Sequence, residues 1–253
     1  EAPVAAPAAP ALAVARPLGE LGLVPGETMA FEVRLAGLLA GEAQLAVGER
    51  GDYQGRRAIV VRSRAATAGA AALLRHIVDE ATTVIDLDSG RPIAVDTLVE
   101  QGDQKTTATA TFAGTSADIT YVRSGEPAPH RLAIDFGAVP VHDAHTAMAE
   151  LRIWRAPAGT TRTVFVVGGR RLWRIDVTYA GEETVSATLG SRRAVRFDGK
   201  SYRATRALGV ETDKPARTFS VWLSDDADRV PLKVVARTEL GDVVIDLTEY
   251  ARP

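Results

Sequence analysis

The stretch FSVWLSDDADRVPLKVVA, from Phe219 to Ala236, decides how the rest of the chain is read. Its aspartates, Asp225, Asp226 and Asp228, allow two readings: a metal or catalytic loop, or the tip of a hairpin. On the N-terminal side, Phe219, Val221 and Leu223 alternate with Ser220, Trp222 and Ser224, the period-two pattern of a strand. The return run VPLKVVA is strand-like too, with Pro231 calling for an edge or a bulge. A calcium loop of the helix–loop–helix kind needs alternating ligands, a central glycine and a distal glutamate. The run Asp225-Asp226-Ala227-Asp228 has no glycine. Aspartate favours turns because its carboxylate accepts hydrogen bonds from nearby backbone N–H groups. The stretch reads as a hairpin with a solvated tip.

The same rhythm extends outward. In TMAFEVRLA, Met29, Phe31, Val33 and Leu35 share one face; GLLAG, from Gly37 to Gly41, is read as the turn and EAQLAVGER as the return. RRAIVVRSRAAT, TTVIDLD, IAVDTLVEQ, KTTATATFAG and ADITYVR continue the series. After residue 160 come TRTVFVVG, RLWRIDVTYAG, ETVSATLG, RAVRFD, YRATRAL, RTFSVWLS, RVPLKVVART and DVVIDLTEY, with VGGRR and YAGEE as tight turns. Turn signals every 8–12 residues or so indicate antiparallel β architecture. The expected fold is mainly β: a large curved antiparallel sheet, half-barrel or sandwich, with one or two short helices packed on it.

Two segments break the rhythm. GAAALLRHIVDE predicts a short helix. VHDAHTAMAELRIWRAPAG places Ala144, Ala147, Met148, Leu151 and Trp154 on one helical stripe over 143–155. Asp143 is the expected N-cap, Arg152 and Arg155 suit the last turn, and Pro157 and Gly159 end the element. Trp222 points away from Phe219, Val221 and Leu223, so its strand is apolar on both faces. The expectation is that the helix covers the Trp222 face. If that face instead borders a cleft, Trp222, Trp154 and Met148 are the candidate ligand-binding residues.

Composition narrows the function classes. The net charge of −2 gives no field favouring nucleic acid. The absence of cysteine excludes disulfides, thiolate zinc sites and a cysteine nucleophile. No apolar run reaches the roughly 18 residues of a membrane span. The opening EAPVAAPAAPALAVARP, part of an Ala/Pro-rich segment over 1–25, reads as a linker after a removed export signal, ahead of a single β-rich domain over 26–253. The expected location is periplasmic or otherwise exported.

Three stretches together resemble an uncharacterised bacterial family, domain-of-unknown-function family 3108. VWLSDDADRVPLKVVARTELGDVVIDLTEY is similar to its C-terminal end: a tryptophan strand, an acidic turn, a proline-containing return strand, a glycine turn and a last strand ending in an aromatic. GETMAFEVRLAGLLAGEAQL resembles its opening hairpin with a Gly-Glu pair before the strand. HDAHTAMAELR resembles its mid-chain Asp-to-Arg helix, although His142 stands where the pattern has an apolar or amide residue. The resemblance covers about residues 26 to 250. It implies an exported, envelope-associated, β-rich protein, and it supplies no reaction and no catalytic residues.

Candidate chemistry is sparse. His142 and His145 could share a metal across a helical turn, with Glu150 further on, but zinc needs three or four protein ligands and the sequence supplies no clear third. No Gly-x-Ser-x-Gly elbow and no phosphate loop occur. A Ser/His/Asp set assembles only in space. No catalytic residue, metal site or cofactor is assigned. Three readings remain: a non-enzymatic envelope protein holding an apolar or glycan-like ligand or an envelope partner; a hydrolase acting on envelope polymer, with acids such as Asp225 or Asp226 in a cleft; or a structural and protein-interaction module.

Overall fold

The structure, a computed structural model, describes residues 21–253. The first half holds β1 (Thr28–Leu35), β2 (Leu38–Tyr53), β3 (Arg56–Thr67), α1 (Gly69–Leu74), β4 (Ile77–Asp86), β5 (Pro92–Gln101), β6 (Gln104–Ala113), β7 (Ser116–Arg123) and β8 (His130–Asp135). The second holds β9 (Val141–His142), α2 (Ala144–Ile153), β10 (Thr161–Gly168), β11 (Arg171–Ala187), β12 (Gly190–Ala204), β13 (Arg217–Ser224), β14 (Pro231–Thr238) and β15 (Gly241–Ala251). Most of the described residues lie in strands and only two short helices occur among them, so this is the mainly β fold the alternation calls for. All strands join one curved sheet in the order β8-β7-β6-β5-β4-β3-β2-β1-β15-β14-β13-β12-β11-β10-β9. Neighbours are antiparallel except the short β9, which runs parallel to β10.

Glycine sets three details that differ from the expectation. The β1–β2 turn is the pair Ala36–Gly37, not Gly37 to Gly41; both residues have positive φ (48° and 85°), as the tightest hairpin turns require. YAGEE is not a turn. β11 runs straight through it, and Gly181 (φ 121°) absorbs a register shift after Tyr179. RAVRFD and the first residues of YRATRAL, through Ala204, are likewise one strand, β12, which runs unbroken through Gly199. A Cβ at Gly199 would stand 2.1 Å from the Phe219 ring, so the missing side chain leaves room for that ring.

The halves are joined at mid-sheet by the β1–β15 ladder, and at the far ends of the sheet by side-chain packing. Ala110, Ile119 and Ile134 of the first half share a core with Val167, Leu172 and Ala204 of the second. The in-register neighbours Tyr179, Phe197 and Val221 form a second core with Trp154, Val177 and Leu223, and Met148 and Leu151 of α2 pack against it. The helix therefore docks on the sheet as expected, but on the Val221–Leu223 face. The expected cover over Trp222 is corrected: Trp222 lies on the opposite face, donating from Nε1 to Glu183 beneath the Arg196 guanidinium. Alternation along β13 requires this, since Val221 and Leu223 take the better-buried side.

The anticipated linker lies outside the described residues except for 21–25. There the packed region starts earlier than Gly26. Leu21 is buried among Ile59, Ile85 and Leu87, and Gly22 sits so close to the Ala149 carbonyl that a Cβ would be 2.3 Å from its oxygen.

Candidate ligand-binding site

The start of α2 is fixed by its own sequence. Asp143 caps the helix: its carboxylate accepts from the His145 and Thr146 backbone N–H groups, and the Thr146 hydroxyl accepts from the Asp143 N–H at 3.0 Å. The next side chain faces the concave sheet. His145 Nε2 lies 2.9 Å from Ser63 Oγ on β3, and Nδ1 lies 2.7 Å from Thr83 Oγ1 on β4. Thr83 donates its hydroxyl proton to Asp143, so it accepts from Nδ1–H, which leaves Nε2 to accept from Ser63. Burial pushes the His145 pKa down, with the nearby Asp143 carboxylate opposing, so the ring is neutral.

A serine hydroxyl aimed at a histidine backed by an aspartate has the proton logic of a nucleophile relay. Its surroundings do not suit that chemistry. Ser63 sits mid-strand, paired to Leu45 on one side and Ala81 on the other, so the local backbone N–H groups belong to the sheet ladder and offer no oxyanion hole. His145 is 6% exposed and Thr83 fully buried. The set pins α2 to β3 and β4. No sequence motif could have revealed it; the available signal was parity, since Ser63 shares a face with Ile59 and Val61, and Thr83 with Ile85.

The other end of α2 is pinned by charge. Arg152 makes a two-pronged ion pair with the buried Glu27, with Nη2 3.0 Å from Oε2, and donates Nε and Nη2 to the Asp228 carbonyl at 3.1 and 2.8 Å. Tyr250 lies 3.4 Å from the same Glu27; burial, then that carboxylate, push its pKa up to about 12. Glu27 of the Gly-Glu pair, Arg152 of the Asp-to-Arg helix and Asp228 of the acidic turn are scattered in the chain and meet here. The tip itself is an aspartate turn: Asp226 accepts from the Asp228 and Arg229 N–H groups and from Ser224 Oγ, and Asp225 pairs with Arg193.

With both ends of α2 pinned, a cavity of about 500 Å³ remains between the concave face of β4–β6, the first residues of α2 and the β10–β11 turn. Ala81, Val95, Val99, Ala108 and Val167 supply its apolar wall, while Thr97, Thr106 and Gln104 supply neutral polar groups. Asp79 also lines it, solvent-accessible yet enclosed by the concave wall, and burial pushes its pKa up. Arg170 and Arg171 stand at the turn. Of the residues singled out from sequence, Trp154 and Met148 come together in the core beneath α2, and Trp222 lies apart from them. None of the three lines the cavity. His142 is buried in β9, and the His145 nitrogens engage Ser63 and Thr83, not a ligand set shared with His142.

No functionally curated protein matches the sequence. Among solved structures, the chain resembles a β-barrel-like protein of the DUF1849 domain family from Brucella abortus, with a TM-score of 0.58, 9% identity, and coverage of 91% of this chain and 98% of that one. It also resembles a candidate exported protein with a YmcC-like fold from Bacteroides fragilis (TM-score 0.41, 8% identity, 90% and 96% covered). The first likeness, at this identity, is one of fold. The family model described as "Protein of unknown function (DUF3108)" matches residues 30–248, and the chain belongs to that family.

Proposed function

We propose that the protein is an exported cell-envelope protein with a non-enzymatic binding role, holding a ligand with an apolar portion in the cavity between β4–β6 and the β10–β11 turn. The observation that carries the reading is the cavity itself. Its volume of about 500 Å³ falls within the span of small-molecule sites, roughly 300–1,000 Å³, and it combines an apolar wall with a few polar groups. Elsewhere α2 fills the concave side with packed side chains. The Ser63–His145–Thr83–Asp143 arrangement is committed to anchoring the helix, which favours binding over hydrolysis. The exported setting follows the family resemblance.

The neutral fluorophore N-phenyl-1-naphthylamine tests this reading. Saturable binding is expected, abolished by Thr106→Trp, which fills the cavity from β6. Ala46→Trp, on the outer face of β2, should leave binding intact. Binding that does not saturate, or that survives Thr106→Trp unchanged, overturns the reading.

A further inference from the structure

The arginines at the β10–β11 turn serve more than one space. Arg170 and Arg171 line the cavity described above and also a neighbouring one of about 300 Å³, whose wall adds Arg203, Arg206 and Glu211. Arg170, Arg171 and Arg203 are half-buried. Among the described residues, none of these four guanidinium groups has a carboxylate within the 4.0 Å of an ion pair. Other arginines, such as Arg152, Arg174, Arg193 and Arg196, each pair with an acid; what distinguishes this set is that four without such a pair line one pair of adjoining cavities.

Gathering like charges in a partly desolvated place raises the energy of the folded state. The electrostatics register this at Arg171, whose pKa is pushed down by burial and then by Arg170 and Arg203, with Glu211 only partly offsetting them. Arg170 is also held against an aromatic ring. Arg170 lies 5.6 Å from the centroid of Tyr121, a β7 residue of the opposite half, and His130 stacks on the same ring at 4.8 Å. Guanidinium forks without an acid partner match the doubly accepting oxygens of phosphate or carboxylate. The apolar cavity begins at the same two residues.

We propose that Arg170, Arg171, Arg203 and Arg206 form an anion site that takes the phosphate or carboxylate head of a ligand whose apolar part occupies the larger cavity. This rests on the binding role proposed above and adds the chemical class: an anionic amphiphile. A free inorganic anion would use the same arginines without the cavity, and the experiment separates the two.

Decyl phosphate, decanol and inorganic phosphate are titrated into the wild-type protein, the Arg170→Gln/Arg171→Gln double variant, Arg206→Gln and Thr106→Trp, with circular dichroism confirming that each variant is folded. Wild-type protein should bind decyl phosphate about tenfold or more tighter than decanol, the scale of a lost charge-assisted hydrogen bond. The double variant should erase that preference and leave decanol binding unchanged. The exposed-rim change Arg206→Gln should reduce the preference in part. Thr106→Trp should weaken both chains. Added salt should weaken decyl phosphate binding and spare decanol. Equal binding of the two chains by wild-type protein, or a preference that survives the double substitution, overturns the head-group site while the cavity reading stands. Arginine-dependent binding of inorganic phosphate with no binding of either chain overturns the amphiphile proposal together with the cavity reading. No binding of any of the three does the same.

Discussion

His145 shows how one buried side chain ties stability to pH. Its ring is neutral in the fold because burial outweighs the Asp143 carboxylate, so its folded pKa lies below the ordinary value of about 6.5. The unfolded chain then binds a proton that the folded chain refuses. The stability this group contributes is complete above pH 6.5 or so and is lost as pH falls toward the depressed folded value. Urea midpoints at pH 8 and pH 5 should fall further for wild-type protein than for His145→Gln, which keeps hydrogen-bonding capacity but does not titrate. Equal falls would mean that His145 is not the titrating group. At the β13–β14 tip the two aspartates should separate. Asp226→Ala removes acceptors for two backbone N–H groups and Ser224 Oγ, and should cost about 1 kcal/mol. Asp225→Ala breaks only a largely exposed pair with Arg193 and should stay within about 0.5 kcal/mol. Thermal melts of both, with and without calcium, should show no metal-dependent rise.

At the scale of the element, α2 is held by two chemistries, and they predict different mutational costs. Arg152→Ala leaves Glu27 buried without its cation and should cost about 3–5 kcal/mol, whereas Glu27→Leu combined with Arg152→Met should recover much of that loss. Trp154→Ala opens a hole against Tyr179 and Phe197 and should cost about 3–5 kcal/mol. Leu151, only half-buried, should cost nearer 2 kcal/mol when cut to alanine. Chemical denaturation of this series measures all three. The helix also marks where sequence reading reached and where it stopped. Its position, its Asp143 cap and the docking of Met148 and Leu151 follow from local periodicity and capping chemistry. The face it covers does not, because Val221 and Trp222 each make a plausible partner until the curvature of the whole sheet is known. The best-buried helix positions, His145, Thr146, Ala149 and Arg152, are mostly polar, and their partners Ser63, Thr83 and Glu27 lie roughly 60 to 125 residues away in the chain. An apolar-stripe argument is blind to such pairings. The cavity was hidden for the same reason, since Val99, Thr106 and Arg171 each look like ordinary strand-end residues until the sheet curls.

The whole molecule has an unusual relation between chain order and sheet order. Read from β9 to β15 and on through β1 to β8, every strand follows its predecessor both in sequence and in space, if the ends of the chain are joined. The first and last strands pair at the centre, Met29 opposite Tyr250 and Val33 opposite Ile245, so the most non-local pairing in the molecule sits mid-sheet. The sheet edges, β8 and β9, are instead linked by the short segment 136–140. Phe136 and Val141 at its two ends belong to the core that joins the halves. The approach to β1 and the last residue lie close together: a Cβ on Gly26 would lie 2.7 Å from the Pro253 ring. These facts predict the behaviour of a circular permutant of residues 21–253, in which Pro253 is joined to Leu21 by a flexible linker of about six residues, which spans up to roughly 20 Å, and the chain is opened between Gly137 and Ala138; its parent for comparison is the linear 21–253 chain. Every strand pairing then becomes local. Folding should be faster than in the parent, because lower contact order removes the costly closure that pairs β1 with β15. Stability should stay close to that of the parent if side-chain packing of Ile134, Val167 and Leu172 closes the sheet. Stopped-flow refolding and a thermal melt measure both quantities. A permutant that melts far below the parent, or exposes enough apolar surface to aggregate, would show that the 136–140 connection, and not the packed seam, holds the curved sheet shut.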